Sequence, residues 1–224
     1  MTPSTRTTGA RRNPSAVQAD PALIEALGAI PTALLSDNLR RSVGSVGLHP
    51  YHRPRHMVGT AVTVRTRGGD NLTMLRAFEY CRPGDVLVID AGGDVTNAVI
   101  GGILSYYAAT IGCAGVVLDG AIRDVAEIRE RDFPVYARGV NHRGPYKNGP
   151  GEINVPVCVG GMSVLPGDIV VGDQDGLLAF AAAEAGELIE KAKRQLEAEA
   201  QTMLAMKEGR WDRSFIDALE ARAN

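Results

Sequence analysis

Residues 116–128, VVLDGAIRDVAEI, combine an apolar strand, a glycine and the start of a polar helix. The run VVL predicts a buried strand, and Gly120 is expected to allow the sharp turn that ends it. Arg123 and Asp124 then fall near the first turn of the next helix. Because ligands of α/β folds bind beyond the ends of buried strands, this junction is the first candidate site in the chain.

The neighbouring segments repeat the pairing of strand with helix. Residues 82–94, RPGDVLVIDAGGD, are a Pro-Gly turn, an apolar strand and a glycine loop. Residues 97–112, NAVIGGILSYYAATIG, are apolar and long enough for a buried helix. Residues 133–139, FPVYARG, predict the next strand, and the polar stretch 140–154 predicts a long loop of the kind that often carries function.

The outer segments complete a layered α/β pattern. Residues 20–41 predict two short helices, the first capped by Asp20 and the second started by Pro31. Residues 155–180 alternate strands with turns, and 181–207 carry a helical apolar stripe. Strands and helices in this order predict a layered α/β sandwich, a single domain with N-terminal helices and a C-terminal helix.

Composition limits the classes of protein. Of the 224 residues 45% are hydrophobic and 22% charged, with a formal net charge of -2. A nucleic-acid binder would be expected to show a basic face, and no apolar run approaches the length of a membrane span. Three dispersed cysteines, Cys81, Cys113 and Cys158, favour a reducing compartment, so we expect a cytoplasmic protein whose partners include neither nucleic acid nor membrane.

The ends of the chain differ from its middle. Residues 1–19 are rich in Ser, Thr and Arg and contain no acidic residue. An organellar transit peptide has a similar composition, but a disordered tail is the preferred interpretation. The predicted organisation is therefore a tail over 1–19, a domain over 20–210 and a C-terminal tail over 211–224.

The Arg123–Asp124 pair suits a 2-oxo acid. The guanidinium offers a planar fork to a carboxylate, and the carboxylate offers a hard oxygen to a divalent cation. The alternative is that Asp124 caps its helix and Arg123 forms a surface ion pair. Gly101–Leu104 can open a helix whose free N–H groups bind carboxylates or phosphates, although the segment lacks the dinucleotide-binding glycine pattern.

Two other polar clusters support a site less well. His49, His52 and His56 are close in sequence and could bind a metal, but the intervening prolines favour a polar surface loop. Asp173 and Asp175 resemble a calcium loop only in part, and a tight hairpin is the better interpretation.

Five stretches in this order resemble the RraA-like family: RPGDVLVIDAGGD, GGIL, GCAGVVLDGAIRD, RGPYKNGPGEINVPVCVGG and PGDIVVGDQDG. That family contains 4-hydroxy-4-methyl-2-oxoglutarate / 4-carboxy-4-hydroxy-2-oxoadipate aldolases and the regulator of ribonuclease activity A. The resemblance implies a swivelling β/β/α-type fold and homotrimers or dimers of trimers. It also implies a divalent metal, Mg²⁺ or Mn²⁺. The implied reaction is cleavage of a 4-hydroxy-2-oxo acid to pyruvate and a second oxo acid, with oxaloacetate decarboxylation beside it.

The same resemblance assigns residues to roles. Arg123 matches the arginine that holds the pyruvate carboxylate and bridging oxygen, and Asp124 matches the metal-binding aspartate. Lys147 matches a basic position for the distal carboxylate, and Glu199 matches a glutamate that a neighbouring subunit supplies near the metal, with Glu197 as its rival. The backbone positions that hold the substrate carboxylate are Gly101, Gly102, Ile103 and Leu104.

One position departs from the family pattern. Members often carry an acid directly after the first glycine of this loop, where this chain has Gly102, and Asp94 is a possible substitute. The departure leaves a second function open, that of a protein-binding regulator that inhibits a ribonuclease without catalysis. The Arg123–Asp124 pair and the Lys147 loop favour the aldolase.

Overall fold

The buried strands around Arg123 form the centre of one mixed sheet. The computed structural model describes residues 10–41 and 43–223. The strands are β1 His49–Pro50, β2 Met57–Thr66, β3 Asp85–Asp90, β4 Ala98–Ile100, β5 Gly115–Ile122, β6 Val135–Val140, β7 Gly151–Ile153, β8 Val157–Val159, β9 Met162–Val164, β10 Ile169–Gly172 and β11 Leu177–Phe180. The helices are α1 Pro21–Leu27, α2 Thr32–Asn38, α3 Leu72–Ala77, α4 Gly102–Thr110, α5 Val125–Glu130, α6 Ala185–Lys207 and α7 Ser214–Ala223.

The sheet has a parallel centre and antiparallel margins. Its strands follow the order β1-β6-β5-β3-β2-β10-β11, with β4 beside β5 and β7 beside β2. Strands β2, β3, β5 and β6 are parallel, and α3, α4 and α5 lie in the connections between them. Because parallel strands end at one edge, this arrangement brings the ends of β4 and β5 to the starts of α4 and α5.

The central strands are covered on both faces, which explains why they are almost wholly apolar. In β3, Leu87 and Ile89 face the core that includes α3, α4 and α5, whereas Val86 and Val88 face the β8–β9 hairpin. A third core joins α1, α2 and α6 to the β10–β11 hairpin. The layers are therefore helices, sheet and hairpin, and the predicted layered α/β sandwich with N-terminal and C-terminal helices is confirmed.

Two local predictions are wrong. Residues 97–112 do not form one buried helix, because Ala98–Ile100 extend and pair with β5 before α4 begins at Gly102. Helix α4 also leaves Ile103, Tyr106 and Tyr107 exposed. Gly120 does not make the expected turn, since it lies inside β5 at an irregularity in the pairing with β6, and the strand continues to Ile122.

The described part of the N-terminal segment packs on the sheet. Arg11 Nε lies 2.6 Å from Glu152 Oε1, Asn13 Nδ2 donates to the Asn154 carbonyl at 2.8 Å, and Gln18 Nε2 donates to Asp85 at 2.9 Å. These contacts place residues 10–19, which fall within the expected tail, along the domain, and the first nine residues lie outside the described part. None of the helices described in residues 10–41 and 43–223 is long and apolar enough to cross a membrane.

Candidate active site

Arg123 and Asp124 form the turn between β5 and α5. The Arg123 N–H donates to the Ile100 carbonyl at 3.0 Å, which ties this turn to the end of β4. Asp124 has left-handed backbone angles, φ 59° and ψ 39°, which aspartate tolerates better than most residues. Both side chains are partly exposed, and Arg123 Nε lies 3.7 Å from Asp124 Oδ2. The glycine turn expected at Gly120 is thus made by the two functional candidates themselves.

Asp124 contacts the neighbouring helix rather than its own. Asp124 stands at the N-cap position of α5, but its carboxylate makes no capping hydrogen bond to that helix. Asp124 Oδ2 instead accepts the Gly102 N–H at 2.9 Å, at the start of α4. A β-carbon on Gly101 would stand 2.5 Å from the same oxygen and 2.9 Å from Arg123 Cγ, so this close approach requires glycine.

Glu127 occupies the space beside Gly102. A β-carbon built on Gly102 would overlap Glu127 Oε2 and stand 2.5 Å from its Cδ. Arg131 pairs with Glu127 Oε1, donates to the Gly102 carbonyl at 2.6 Å and lies 4.9 Å over the Tyr106 ring. Arg131 therefore links α5 to α4. It also holds the Glu127 carboxylate in the space that a side chain at position 102 would fill.

The Lys147 loop is held by the buried carboxylate of Asp70. Asp70 Oδ2 accepts the N–H groups of Asn148 and Gly149 at 2.7 and 3.0 Å, while Oδ1 accepts that of Leu72 at 3.0 Å. Burial by itself raises the pKa of Asp70, but these three N–H donors and the Arg67 charge outweigh it and hold the pKa below its ordinary value. Asp70 is thus ionised at neutral pH and fixes the loop.

These elements enclose one pocket of about 270 Å³. Its two charged regions are the Arg123–Asp124 turn and Lys147, and the start of α4 lies between apolar walls. First-turn N–H groups of a helix lack intrahelical partners and attract anions. The pocket lining consists of Asn71, Leu75, Val99, Ile100, Gly101, Ile103, Leu104, Arg123, Asp124, Pro145 and Lys147.

Three carboxylates proposed from the sequence lie elsewhere. Asp94 accepts the N–H and hydroxyl of Thr96 at 2.7 and 2.6 Å and is absent from the pocket lining, so Glu127 and not Asp94 stands beside Gly102. Glu199 is exposed on α6 and accepts from Gln195 at 2.9 Å. Since α6 packs on α1 and α2, neither Glu199 nor Glu197 lines the pocket of its own chain.

The histidine cluster forms no metal site with its neighbours. His52 is buried, and its Nδ1 lies 3.1 Å from the Val135 N–H, so the expectation of a surface loop is wrong for this residue. Burial lowers the pKa of His52 and favours its neutral form. Among the described residues, no three or more His, Cys, Asp or Glu side chains gather into a group that could bind a metal by themselves. Asp173 lies in the tight β10–β11 hairpin, as predicted, and accepts from Thr32.

Three residues at or near the pocket were not predicted from the sequence: Glu127, Asp70 and Asn71. Glu127 follows Asp124 by three residues, a spacing that places two helical side chains on one face, so this signal was present. Asp70 and Asn71 had no such signal, because their contacts with the Lys147 loop and β4 are long-range.

Comparison with known proteins now identifies the family. The profile described as Aldolase/RraA matches residues 32–179, which include the pocket residues. The chain belongs to the RraA-like family. One relative, from Halalkalibacterium halodurans, carries the provisional name 4-hydroxy-4-methyl-2-oxoglutarate aldolase; it is 39% identical over 179 residues, 80% of this chain and 85% of that protein. A Deinococcus radiodurans protein with the same provisional name is 36% identical over 154 residues, 68% of this chain and 96% of that protein.

A solved structure carries a different functional name. Streptomyces coelicolor RraAS2, described as an unusual member of the RNase ES inhibitor RraA protein family, matches with a TM-score of 0.77 and 28% identity. The match covers 84% of this chain and 98% of that one. The RraA-like family assignment and fold are therefore shown, and similar proteins carry both aldolase and inhibitor names.

Proposed function

We propose that this RraA-like protein is a divalent-metal-dependent aldolase. It cleaves a 4-hydroxy-2-oxo dicarboxylic or tricarboxylic acid to pyruvate and a second oxo acid, and it decarboxylates oxaloacetate as a side reaction. The supporting observation is that Arg123, Asp124 and Lys147 line a single pocket. Two cationic groups suit a substrate with a carboxylate at each end, and the acid beside Arg123 suits a metal-assisted reaction at the oxo group.

Two carboxylates near the start of α4 suit a hard cation. Asp124 lines the pocket and its Oδ2 accepts the Gly102 N–H, and Glu127 Oε2, on the first turn of α5, lies where a Gly102 side chain would begin. Mg²⁺ commonly uses one or two protein carboxylates and takes its remaining ligands from water and substrate, so two acids are enough. Asp124 would hold the ion, with Glu127 beside it. When bound, a divalent cation supplies Lewis-acid polarisation of the oxo group.

Arg123 binds and orients the 2-oxo acid end of the substrate. Its guanidinium supplies two parallel N–H donors and positive charge where the enolate of pyruvate gains negative charge. The N–H groups of Ile103 and Leu104 in the first turn of α4 bind the adjacent carboxylate, since that of Gly102 already donates to Asp124. Lys147 binds the second carboxylate across the pocket and so favours dicarboxylic over monocarboxylic aldols.

Glu127 provides the carboxylate for proton transfer. The C4 hydroxyl must lose its proton as the C3–C4 bond breaks, and the enolate carbon must take one up before pyruvate leaves, so one positioned carboxylate can accept the first proton and return it to carbon. Glu127 Oε2 is placed for it, because Arg131 binds the other oxygen and leaves Oε2 beside Gly102. In this proposal Glu127 replaces the acid that relatives carry at position 102.

A second copy of the chain completes the site. Ile103, Tyr106 and Tyr107 form an exposed apolar face on α4 beside the pocket, and such a face suits a subunit interface. We assign it to a homotrimer or a dimer of trimers in which Glu199 of a neighbour approaches Asp124. The long α6 exposes Met203 and Leu204 near its end and suits the same role.

One assay tests this function. Pyruvate release is measured from oxaloacetate and from 4-hydroxy-4-methyl-2-oxoglutarate after chelator treatment, and again after addition of Mg²⁺ or Mn²⁺. We expect both reactions to stop in chelator and to return with metal. Full activity in chelator rejects the metal dependence. Inactivity towards both substrates rejects the aldolase and favours the regulator, for which ribonuclease inhibition is the assay.

A further inference from the structure

Asn71 is a buried polar residue in the wall of the pocket. It directly precedes α3, its side chain is only 2% exposed, and it lines the pocket together with Arg123 and Lys147. Its backbone N–H donates to the Tyr146 carbonyl at 3.0 Å. Asn71 is therefore tied to the loop that carries Lys147.

The amide of Asn71 has one unsatisfied atom. Its Nδ2 donates to the Val99 carbonyl at 3.2 Å, and since a carbonyl only accepts, this bond sets which way the amide points. Oδ1 is then left buried, and no described residue donates to it. A buried acceptor without a donor is costly, so native proteins usually satisfy it. Asn154 also has a buried Oδ1 without a partner, but it does not line the pocket.

We propose that Asn71 Oδ1 accepts a hydrogen bond from the C4 hydroxyl of the substrate. This inference rests on the proposed aldolase function and deepens it. An ionised 4-hydroxy-2-oxo dicarboxylate presents carboxylate and oxo oxygens, which only accept, and its hydroxyl is its single donor. Arg123 and Lys147 are proposed to bind the two ends, and Asn71 lines the same pocket, so its amide is the acceptor assigned to the hydroxyl. A neutral amide oxygen takes up no proton, so the contact orients the hydroxyl and selects substrates.

The test compares substrates with and without that hydroxyl. Asn71→Ala should lower kcat/KM for 4-hydroxy-4-methyl-2-oxoglutarate about 10- to 100-fold, because the hydroxyl loses its acceptor. Oxaloacetate lacks the hydroxyl, so its decarboxylation should change less than about threefold. Asn13→Ala is the matched control, since Asn13 Nδ2 also donates to a backbone carbonyl, that of Asn154, but lies outside this pocket. It should alter neither reaction.

A binding measurement on the wild-type protein covers the case in which Asn71→Ala does not fold. 4-Methyl-2-oxoglutarate, which has hydrogen in place of the hydroxyl, is compared with the hydroxylated compound as a competitor of oxaloacetate decarboxylation. The compound without the hydroxyl should bind about tenfold more weakly or worse. Equal affinity, or equal losses of both reactions in Asn71→Ala, overturns the assignment of Asn71 alone. Wild-type protein that acts on neither substrate overturns the aldolase itself.

Discussion

Glu127 lies where the side chain of residue 102 would begin, and its Oε2 would overlap a β-carbon on Gly102. The two positions are 25 residues apart and belong to different helices, α5 and α4. Since Glu127 is a flexible side chain, an acid at position 102 would displace it without breaking the fold. One acid can therefore occupy this space from either position, and this relationship can be tested directly.

Removing Glu127 should reduce catalysis. Glu127→Ala is expected to lower kcat for both reactions about 10²- to 10⁴-fold, the range of a positioned acid or base. Gly102→Asp introduced into Glu127→Ala should restore part of that loss, because the vacated space admits the new carboxylate. Pyruvate release measures both effects.

Glu130→Gln is the control for the Glu127 variant. Glu130 is exposed on the same helix but is not the acid beside Gly102, so activity should stay at the wild-type level. Wild-type kcat in Glu127→Ala would show that the contact with Gly102 only packs α5 against α4.

Arg123 should be required as an arginine. Arg123→Ala and Arg123→Lys should each lose about 3 kcal/mol of transition-state stabilisation, comparable to losing one oxyanion donor. Lysine retains the charge but not the planar pair of donors. Steady-state kinetics measure the loss, and circular dichroism verifies the fold. If Arg123→Lys retains wild-type kcat/KM, a single positive charge is sufficient.

Asp70 should control the affinity of the Lys147 loop for dicarboxylic substrates. Asp70→Asn replaces an acceptor with an amide that turns a donor towards the loop N–H groups, so the loop loosens. KM for 4-hydroxy-4-methyl-2-oxoglutarate should rise about tenfold, as in Lys147→Ala, with a smaller change in pyruvate proton exchange. The double variant should show less than the sum of the two effects, since both act on one contact. Additive effects would show that Asp70 and Lys147 act on substrate binding independently.

Asp70 should also make stability depend on pH in a defined direction. Its folded pKa lies below the ordinary value of 3.8, so the carboxylate stabilises the folded state fully above that pH. The contribution is lost as pH falls below 3.8 through the folded pKa, because the unfolded chain binds the proton first. Urea unfolding of wild type and Asp70→Asn should give a constant difference between about pH 5 and pH 7 that shrinks below about pH 4. A difference that grows on acidification contradicts this assignment.

A composite site should allow complementation between inactive chains. Arg123→Ala and Glu199→Ala proteins should each be inactive alone if Glu199 serves a neighbour. After subunit exchange, about a quarter of the interfaces in a closed ring should join an intact Arg123 to an intact Glu199, assuming random pairing. Activity should therefore return on mixing. No recovery after demonstrated exchange would place Glu199 outside the active site, and repeating the experiment with Glu197→Ala tests its rival.

Local patterns predicted most of the sheet and part of the pocket. The apolar runs of β3 and β5 predicted buried strands, because a strand covered on both faces needs apolar side chains at every position. The Arg123–Asp124 pair could be placed at a strand end because it follows the apolar run of β5. The pattern failed at residues 98–100, where an apolar stretch fits a strand or a helix equally well and only the pairing with β5 selects the strand.

Only the tertiary structure decided which polar side chains lie at or near the pocket and which groups they contact. Glu127 fills the space at Gly102 because α4 and α5 begin side by side, and Arg131 holds it there. Asp70 reaches Gly149, 79 residues away, and Asn71 reaches Val99, 28 residues away. Periodicity reports which face of an element is buried, but it carries no information on which distant backbone groups a buried carboxylate or amide will meet. Those long-range contacts form only when the sheet brings the ends of its strands together.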